Sequence, residues 1–285
     1  MILVTGATGK IGQEVVSRLA AKGERVRAFV RNPARGAALQ GPNVELFQGD
    51  LDDPASIARA LEGVDAVFLL SNANHVQELS ALDQIARSSV KRVVNLSAMG
   101  ASLESPLTIG RNHAQVEERL RSMPLTWTIL RPGMFAQNLL QSADTIRSSG
   151  RIFGAYGTAK IAPIDVRDIA DVAVAALTED SHAGKTYALT GPELLDYPAM
   201  AAALSTAAGK PITYTEVPLD AVRDGLGKAV AAGHIPAWLA DDLVKMQSLS
   251  HDRVGEKTDD VARILGRPAR PFSDFARDSA AAFRT

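Results

Sequence analysis

The chain opens with a short apolar run that leads directly into three glycines spaced three residues apart. Residues 1–16 read MILVTGATGKIGQEVV, and the motif is Gly6-x-x-Gly9-x-x-Gly12. A segment with helical spacing, from Ile11 to Leu19, follows at once. A glycine-rich turn between a strand and a helix is the setting in which backbone amides at a helix N-terminus bind a pyrophosphate. The motif therefore predicts a strand–turn–helix unit that binds a dinucleotide, and a glycine-rich turn that binds nothing is the alternative.

The position of each glycine predicts its role. Gly6 permits a sharp turn, Gly9 lets the backbone approach a pyrophosphate without a Cβ, and Gly12 lets the helix pack closely on the strand. The helix N-terminus supplies free N–H groups and a positive dipole end. The residues predicted to form the cofactor-binding turn are Gly6, Thr8, Gly9, Lys10, Ile11 and Gly12.

Apolar runs and segments of helical spacing alternate through the first half of the chain. The predicted strands are Ile2–Thr5, Arg25–Val30, Val44–Phe47, Ala66–Leu70, Arg92–Leu96 and Trp127–Leu130. The helices predicted between them include Pro54–Leu61, capped by Asp53, then Val76–Ser88 and Asn112–Arg121. Near-continuous apolar strands are covered on both faces, and the alternation predicts an α/β fold with a Rossmann-type, doubly wound parallel sheet.

The regular alternation of predicted strands and helices ends after Pro132. Further predicted helices are Leu139–Ser148, Val166–Leu177 with Asp165 as its N-cap, and Tyr197–Ala208, and the predicted strands are Arg151–Phe153, Thr186–Leu189 and Ile212–Val217. The chain is mostly helical from Leu219 onward. We predict a dinucleotide-binding domain over residues 1–150 and a smaller, mostly helical C-terminal lobe over residues 151–285 that covers the substrate. Segments near residues 160–190 are free to return to the sheet.

Composition excludes several function classes. The 285 residues include no cysteine, which rules out disulfides, thiolate nucleophiles and cysteine-based metal sites. The formal net charge of −1 leaves no electrostatic footprint for nucleic acid. No apolar run approaches the roughly 18 residues of a membrane span, and MILV is too short for a signal peptide. We therefore expect a cytoplasmic protein with no metal, no membrane partner and no nucleic-acid partner; the oligomeric state is not predicted.

Several longer segments resemble the atypical short-chain dehydrogenase/reductases, in particular the NmrA-like NAD(P)-binding group. They read TGATGKIG, GDLDDPASIARALEGVDAVFLLS, RVVNLSAMGA, LTWTILRPGMFAQNLL and APIDVRDIADVAVAAL. The resemblance covers most of the chain. That group includes quinone reductases, triphenylmethane-dye reductases and proteins that bind NADP(H) as regulators.

The residues after the second strand predict which dinucleotide binds. An NAD site places Asp or Glu about twenty residues past the glycines to accept the ribose 2′-OH. This chain has Arg31 there, with Arg35 close behind. A guanidinium group favours a 2′-phosphate, which it can grip with two hydrogen bonds. We therefore expect NADP(H) rather than NAD(H), the alternative being two solvated arginines in a loop.

Other cofactor contacts lie where strands end. The resemblance implies that Asp50, followed by Leu51, meets the adenine edge, although Asp50 is equally a turn residue. It also implies that Ser71 and Asn72 lie beside the nicotinamide ribose or the diphosphate. Pro132, at the end of the sixth strand, is predicted to form a rigid turn near the nicotinamide face.

The catalytic pattern of the wider superfamily is incomplete. Ser97 matches its serine, but His113 stands where lysine is usual and Ile109 where tyrosine is usual. No tyrosine occurs between Ser97 and Arg151. Reduction of a carbonyl to an alcohol needs a proton donor with a tuned pKa. Because the tyrosine that usually serves as this donor is missing, we expect acceptors that are already electron-poor. Ser97 and His113 are the candidate catalytic residues, and His113 is either a proton donor or a ligand of a ribose hydroxyl.

The acceptor site is predicted beyond the sixth strand. Phe135, Asn138 and Tyr156 are the candidate substrate residues, with Phe135 offering a stacking surface for a flat aromatic acceptor. Core packing is the alternative for Phe135. The sequence thus predicts an NADPH-dependent reductase of quinone-like, azo or dye-like acceptors; an NADP(H)-binding sensor that acts through a protein partner is the other reading.

Overall fold

The structure is a computed structural model that describes residues 1–71 and 74–284. Asn72, one of the predicted cofactor contacts, lies outside the described residues. The strands are β1 Ile2–Val4, β2 Val26–Val30, β3 Val44–Gln48, β4 Ala66–Leu69, β5 Arg92–Leu96, β6 Thr126–Pro132, β7 Arg151–Gly154, β8 Lys185–Leu189 and β9 Thr213–Glu216.

Helices fill most of the connections between these strands. They are α1 Lys10–Ala21, α2 Pro33–Gly36, α3 Pro54–Ala60, α4 His75–Ile85, α5 Thr108–Arg121, α6 Ala143–Ser149, α7 Val166–Thr178, α8 Tyr197–Ala208, α9 Leu219–Ala231, α10 Ala237–Ser250, α11 Asp260–Leu265, α12 Phe272–Asp278 and α13 Ala280–Phe283. Short 3₁₀ turns span Ala37–Leu39, Ala136–Ser142 and Asp180–His182.

The main sheet is parallel and, within the described residues, has seven strands in the order β3-β2-β1-β4-β5-β6-β8. The order reverses at β1, where Ile2 pairs with Val26 of β2 on one side and Ala66 of β4 on the other. Ligands of open α/β sheets bind at such a reversal, outside the carboxyl ends of the strands. The predicted Rossmann-type sheet is confirmed, and it places the glycine turn at the expected edge.

Both faces of the sheet are covered. One core cluster packs α1 and α7 on the sheet through residues such as Val15, Leu19 and Ile169. The other packs α3, α4 and α5 through residues such as Ile57 and Leu82. Burial on both faces explains why the strands read as continuous apolar runs rather than as alternating patterns.

The C-terminal part builds a third core of its own. There β7 and β9 pair in a two-stranded parallel sheet, and α8 and α12 pack beside it around Met200, Leu204, Phe272 and Phe275. The main sheet nevertheless includes β8, well past residue 150. The division of the chain at residue 150 therefore stays a prediction, with the α7–β8 segment packed on the main sheet.

Some element boundaries differ from the sequence predictions. The helix expected over Leu139–Ser148 is a 3₁₀ turn followed by α6, which ends at Gly150 in the left-handed conformation. Helix α5 begins at Thr108, four residues before the predicted start, because its cap comes from a distant part of the chain. The predicted caps Asp53 and Asp165 are confirmed, accepting hydrogen bonds from the N–H groups of Ala55 and Arg167.

Across residues 1–71 and 74–284, no helix combines the length and the apolar character that a membrane crossing needs.

Candidate functional site

The glycine turn after β1 forms a cradle of free backbone amides. Gly6 has φ of 59°, the left-handed region that favours glycine. A Cβ on Gly12 would lie 2.1 Å from the Gly6 carbonyl oxygen, so only glycine fits where α1 passes the turn. Gly9 caps α1 without a side-chain hydrogen bond and is exposed. The N–H groups of the first helical turn have no partner within the helix and can bind an anion.

Lys10 and Thr8 flank this cradle. Lys10 is exposed, and its Nζ donates a 3.1 Å hydrogen bond to the carbonyl oxygen of Gln137, beyond β6. The Gln137 side chain in turn donates to Asp165 Oδ1 at 3.1 Å and accepts from the N–H of Val166 at 3.1 Å. Thr8 is half-buried, beside the start of α1. The N-terminus of α1 is thus linked to the 3₁₀ turn after β6 and, through Gln137, to the start of α7.

Arg31 and Arg35 lie at the carboxyl end of β2, the strand next to β1. Both side chains are exposed. Between them Asn32 caps the short helix α2 by accepting a 3.0 Å hydrogen bond from the N–H of Ala34. Because β1 and β2 are parallel neighbours, the two arginines and the amide cradle share one edge of the sheet. A cradle that a Cβ would fill, on the same sheet edge as two exposed guanidinium groups, fits a dinucleotide.

Asp50 and Leu51 form the turn after β3. Asp50 Oδ1 accepts a 3.1 Å hydrogen bond from the N–H of Asp52, and Ser56 Oγ closes the turn through the Asp50 backbone. Leu51 is half-buried against the α3–α5 core. Asp50 therefore acts as a turn residue, and its contact with an adenine edge stays a prediction.

Ser71 is held by a buried carboxyl that the sequence reading missed. Its N–H and Oγ donate to Glu78 Oε1 at 3.0 and 2.7 Å. Asn95 Nδ2 lies 3.4 Å from Glu78 Oε2, and the buried Asn95 Oδ1 has no hydrogen-bond partner among residues 1–71 and 74–284. Burial raises the pKa of Glu78 to about 7, against the lowering effect of the hydrogen bonds from Ser71 and Asn95. A titratable group therefore lies beneath the carboxyl ends of β4 and β5.

Ser97 is bound to a second buried carboxylate, Glu117 on α5. Its Oγ donates a 2.6 Å hydrogen bond to Glu117 Oε1. Arg131 donates to both oxygens, at 2.8 Å from Nε and 2.5 Å from Nη2, and Arg121 adds a 2.8 Å contact. Burial alone would raise the pKa of Glu117, but hydrogen bonds from Arg131 and Ser97 and the charges of the two arginines hold it below its usual range. Glu117 is therefore ionised at neutral pH.

His113 lies one helical turn before Glu117 and is half-buried. Burial lowers the pKa of His113, the charge of Glu117 opposes this, and His75 adds to the lowering. The imidazole is consequently neutral at pH 7, with one nitrogen able to donate a hydrogen bond and the other able to accept one. Both candidate catalytic residues thus interact with the carboxylate of Glu117. Ser97 donates a hydrogen bond to it, and the charge of the carboxylate acts on His113.

The predicted acceptor residues occupy different surroundings. Pro132 is buried at the end of β6, where its carbonyl oxygen accepts a 3.0 Å hydrogen bond from the N–H of Met99. Phe135 is half-buried and packs against the α1–α7 core, while Asn138 is exposed. Tyr156 stacks on Tyr197 with ring centroids 4.2 Å apart, and Tyr197 Oη reaches Met134 Sδ at 3.6 Å. Contact of these residues with an acceptor stays a prediction.

Glu78 and Glu117 are absent from the sequence prediction, although each has a local signal in its helix. Glu78 shares the helical spacing of Leu82 and Ile85, and Glu117 lies between Val116 and Leu120, so each is a carboxylate within an apolar face. A charged residue at such a position is buried only with partners. The third missed residue, Asp242, had no local signal, since its partners lie on α5.

Fold and site together define a Rossmann-type dinucleotide-binding protein. A sequence profile described as NAD(P)H-binding matches residues 6–180. The chain belongs to this NAD(P)H-binding family, and its predicted place among the atypical short-chain dehydrogenase/reductases is confirmed.

Relatives match over nearly the whole chain. The NAD(P)H azoreductase of Xenophilus azovorans is 38% identical over 287 residues, 99% of this chain and 99% of that protein. The (4-alkanoyl-5-oxo-2,5-dihydrofuran-3-yl)methyl phosphate reductase of Streptomyces griseus is 39% identical over 290 residues, again 99% of each chain. The crystal structure of an NADPH-dependent quinone oxidoreductase from Escherichia coli, complexed with NADPH, is 28% identical, with a TM-score of 0.85 over 98% of this chain and 99% of that one.

Proposed function

We propose that this NAD(P)H-dependent oxidoreductase uses NADPH, in preference to NADH, to reduce an electron-poor aromatic acceptor of the quinone or azo class. The names of the relatives support the acceptor class, since they include an azoreductase and an NADPH-dependent quinone oxidoreductase. The observation that carries the cofactor assignment is the position of exposed Arg31 on the same sheet edge as the amide cradle of α1. When bound, NADPH supplies the hydride.

The chain's own residues would bind the negatively charged phosphate groups of the cofactor. The free amides after Gly9 would bind the diphosphate, and the positive end of the α1 dipole adds to that attraction. Arg31, with Arg35, would grip the 2′-phosphate. His113, neutral and half-buried, is suited to hydrogen-bond a ribose hydroxyl near the acceptor side.

The reaction would proceed without the tyrosine and lysine of the wider superfamily. Ile109 occupies the tyrosine position and His113 the lysine position. A quinone or an azo group accepts hydride readily, and its product can take a proton from water or from a weak donor. Holding the reactants in place can lower the barrier by roughly 7–11 kcal/mol, so positioning can replace a strong acid.

A turnover panel tests this proposal. Purified protein would be mixed with NADPH and, in turn, 1,4-naphthoquinone, an azo dye and a simple aliphatic ketone, while nicotinamide absorbance is followed. We expect turnover of the quinone and the azo dye and none of the ketone. Saturable NADPH binding with no turnover of either acceptor would instead support the alternative, a dinucleotide sensor that acts through a protein partner.

A further inference from the structure

Asp242 is a fully buried carboxylate on α10, with an exposed fraction of 0%. Its Oδ1 accepts a hydrogen bond from the N–H of Thr108 at 3.0 Å, and its Oδ2 accepts one from the N–H of Ile109 at 2.6 Å. These two backbone groups are its hydrogen-bond partners in the described part of the chain. A buried charge is costly unless it is well bonded, so this contact is tightly specified.

Helix α5 has no cap from its own neighbourhood. Its N-cap position is Leu107, whose side chain makes no capping hydrogen bond. Asp242, 134 residues later in the sequence, satisfies the first two amides of the helix instead. A carboxylate there also meets the positive end of the α5 dipole. The start of α5 therefore depends on the docking of α10.

The hairpin formed by α9 and α10, residues 219–250, has few other anchors on the body of the protein. Helix α9 has no buried residue, and α10 buries only Ala240, Asp242 and Val244. Near its far end, Gln247 Oε1 accepts a 2.8 Å hydrogen bond from the N–H of Ala155, next to the predicted acceptor residue Tyr156. Among the three buried residues of α10, Asp242 is the one with an ionisable side chain.

The docked end of α5 leads directly to the catalytic candidates. His113 lies four residues beyond Ile109, about 6 Å along the helix axis. Glu117, which binds Ser97, follows one turn later. A shift at the start of α5 would be transmitted along this short, hydrogen-bonded path. The hairpin meanwhile approaches the Ala155–Tyr156 segment from its other end.

We infer that Asp242 is a positioning residue that couples the docking of the α9–α10 hairpin to the placement of His113 and so to acceptor binding. Its hydrogen bonds go to the backbone of α5, so it would act through that helix. The part that concerns the acceptor rests on the proposed function. If the hairpin is docked only part of the time, the apparent Kd of the acceptor equals its intrinsic Kd divided by the docked fraction. A saturating concentration of acceptor restores the docked state. A raised KM with a preserved kcat is the expected signature.

The experiment compares Asp242→Asn and Asp242→Ala with Asp241→Asn, which changes the same charge at the exposed neighbouring position. Hydrogen exchange in the free protein should accelerate at least tenfold at residues 108–113 and 219–250 in Asp242→Ala. Asp242→Asn, which keeps one acceptor oxygen, should fall between Asp242→Ala and the wild type. The pKa of His113, followed by NMR, should rise towards its ordinary value in Asp242→Ala. Asp241→Asn should match the wild type in all three readouts.

Kinetics complete the test. With 1,4-naphthoquinone, KM should rise at least fivefold in Asp242→Ala, and kcat should stay within threefold. Unchanged exchange in the hairpin and an unchanged His113 titration would overturn the coupling. Faster exchange with unchanged KM would overturn the positioning role and leave Asp242 a structural cap. If the wild type reduced no acceptor, the proposed function would fail, while exchange and the His113 titration would still decide the coupling.

Discussion

The hydroxyl of Ser97 donates a 2.6 Å hydrogen bond to the carboxylate of Glu117, and both groups are buried. The proton of Ser97 is therefore committed to Glu117, which leaves the serine oxygen to accept rather than donate at the site. The same carboxylate receives two hydrogen bonds from Arg131. Glu117 thereby joins the ends of β5 and β6 to α5 and sets the surroundings of both candidate catalytic residues.

Glu117→Gln should destabilise the protein, because the amide removes the charge that Arg131 and Arg121 share. Arg131 is partly exposed and can recover some hydration, so we expect a loss of about 2 kcal/mol in the free energy of unfolding. Urea denaturation measures it. Glu118→Gln alters the exposed neighbour on the same helix and should change stability by less than about 0.5 kcal/mol. Equal effects of the two substitutions would contradict this role of Glu117.

Arg31→Asp should weaken NADPH binding far more than NADH binding, since a repelling carboxylate replaces a paired cation. Loss of charge-assisted hydrogen bonds predicts a fall of about 10- to 100-fold in NADPH affinity, measured by titration of nicotinamide fluorescence. Arg25→Asp makes the same change just before β2 begins, at the opposite end of that strand, and should leave both affinities unchanged. An equal loss for the two cofactors in Arg31→Asp would refute the placement of the 2′-phosphate.

The glycines of the cradle should respond differently to alanine. Gly12→Ala puts a Cβ 2.1 Å from backbone and should cost about 3 kcal/mol of stability or more, together with cofactor binding. At Gly9 the same Cβ would lie 3.2 Å from the Gly6 carbonyl oxygen, so we expect a folded protein with weakened NADPH binding. Thermal unfolding and NADPH titration separate the two effects.

Gly225→Ala serves as the control for these glycines, because it lies in α9 with nothing within 4 Å of an added Cβ. It should be neutral or stabilising by up to about 1 kcal/mol. Full NADPH affinity in Gly9→Ala would argue against close approach of the diphosphate at that residue.

Glu78 should make stability fall as pH rises. Its folded pKa is raised from 4.5 to about 7, so its contribution is fully present below pH 4.5 and is lost as pH rises towards 7. The shift corresponds to about 3 kcal/mol. Glu78→Gln keeps an oxygen for Ser71 but does not titrate. Between pH 5 and pH 8 its free energy of unfolding, measured by urea denaturation, should therefore rise by about 3 kcal/mol relative to that of the wild type.

Comparing wild type and variant at each pH cancels the contribution of His113, which titrates in both proteins. Glu62→Gln, at an exposed position, should show no such pH-dependent difference. A Glu78→Gln effect of the same size at pH 5 and pH 8 would show that Glu78 stays charged when buried.

The sheet and the glycine turn could be predicted because their signals are local. Apolar runs bounded by turn residues mark strands that are buried on both faces, and a Gly6-x-x-Gly9-x-x-Gly12 spacing marks one particular backbone path. The caps Asp53 and Asp165 also lie beside the amides that they satisfy. Each of these features is encoded within a few residues.

The contacts that complete the site are not local, which is why the sequence did not yield them. The cap of α5 lies 134 residues away on α10, and Lys10 meets a carbonyl 127 residues later. The pairing of Ser97 with Glu117 requires knowing which face of α5 meets β5. Glu78 and Glu117 were visible as carboxylates in apolar faces, but their partners were not.

The most direct test of the account is a crystal structure of the protein with NADPH. The account predicts the diphosphate within about 3 Å of the backbone nitrogens at the start of α1, and the 2′-phosphate on Arg31. A coenzyme bound elsewhere, or a diphosphate that makes no contact with these amides, would contradict it.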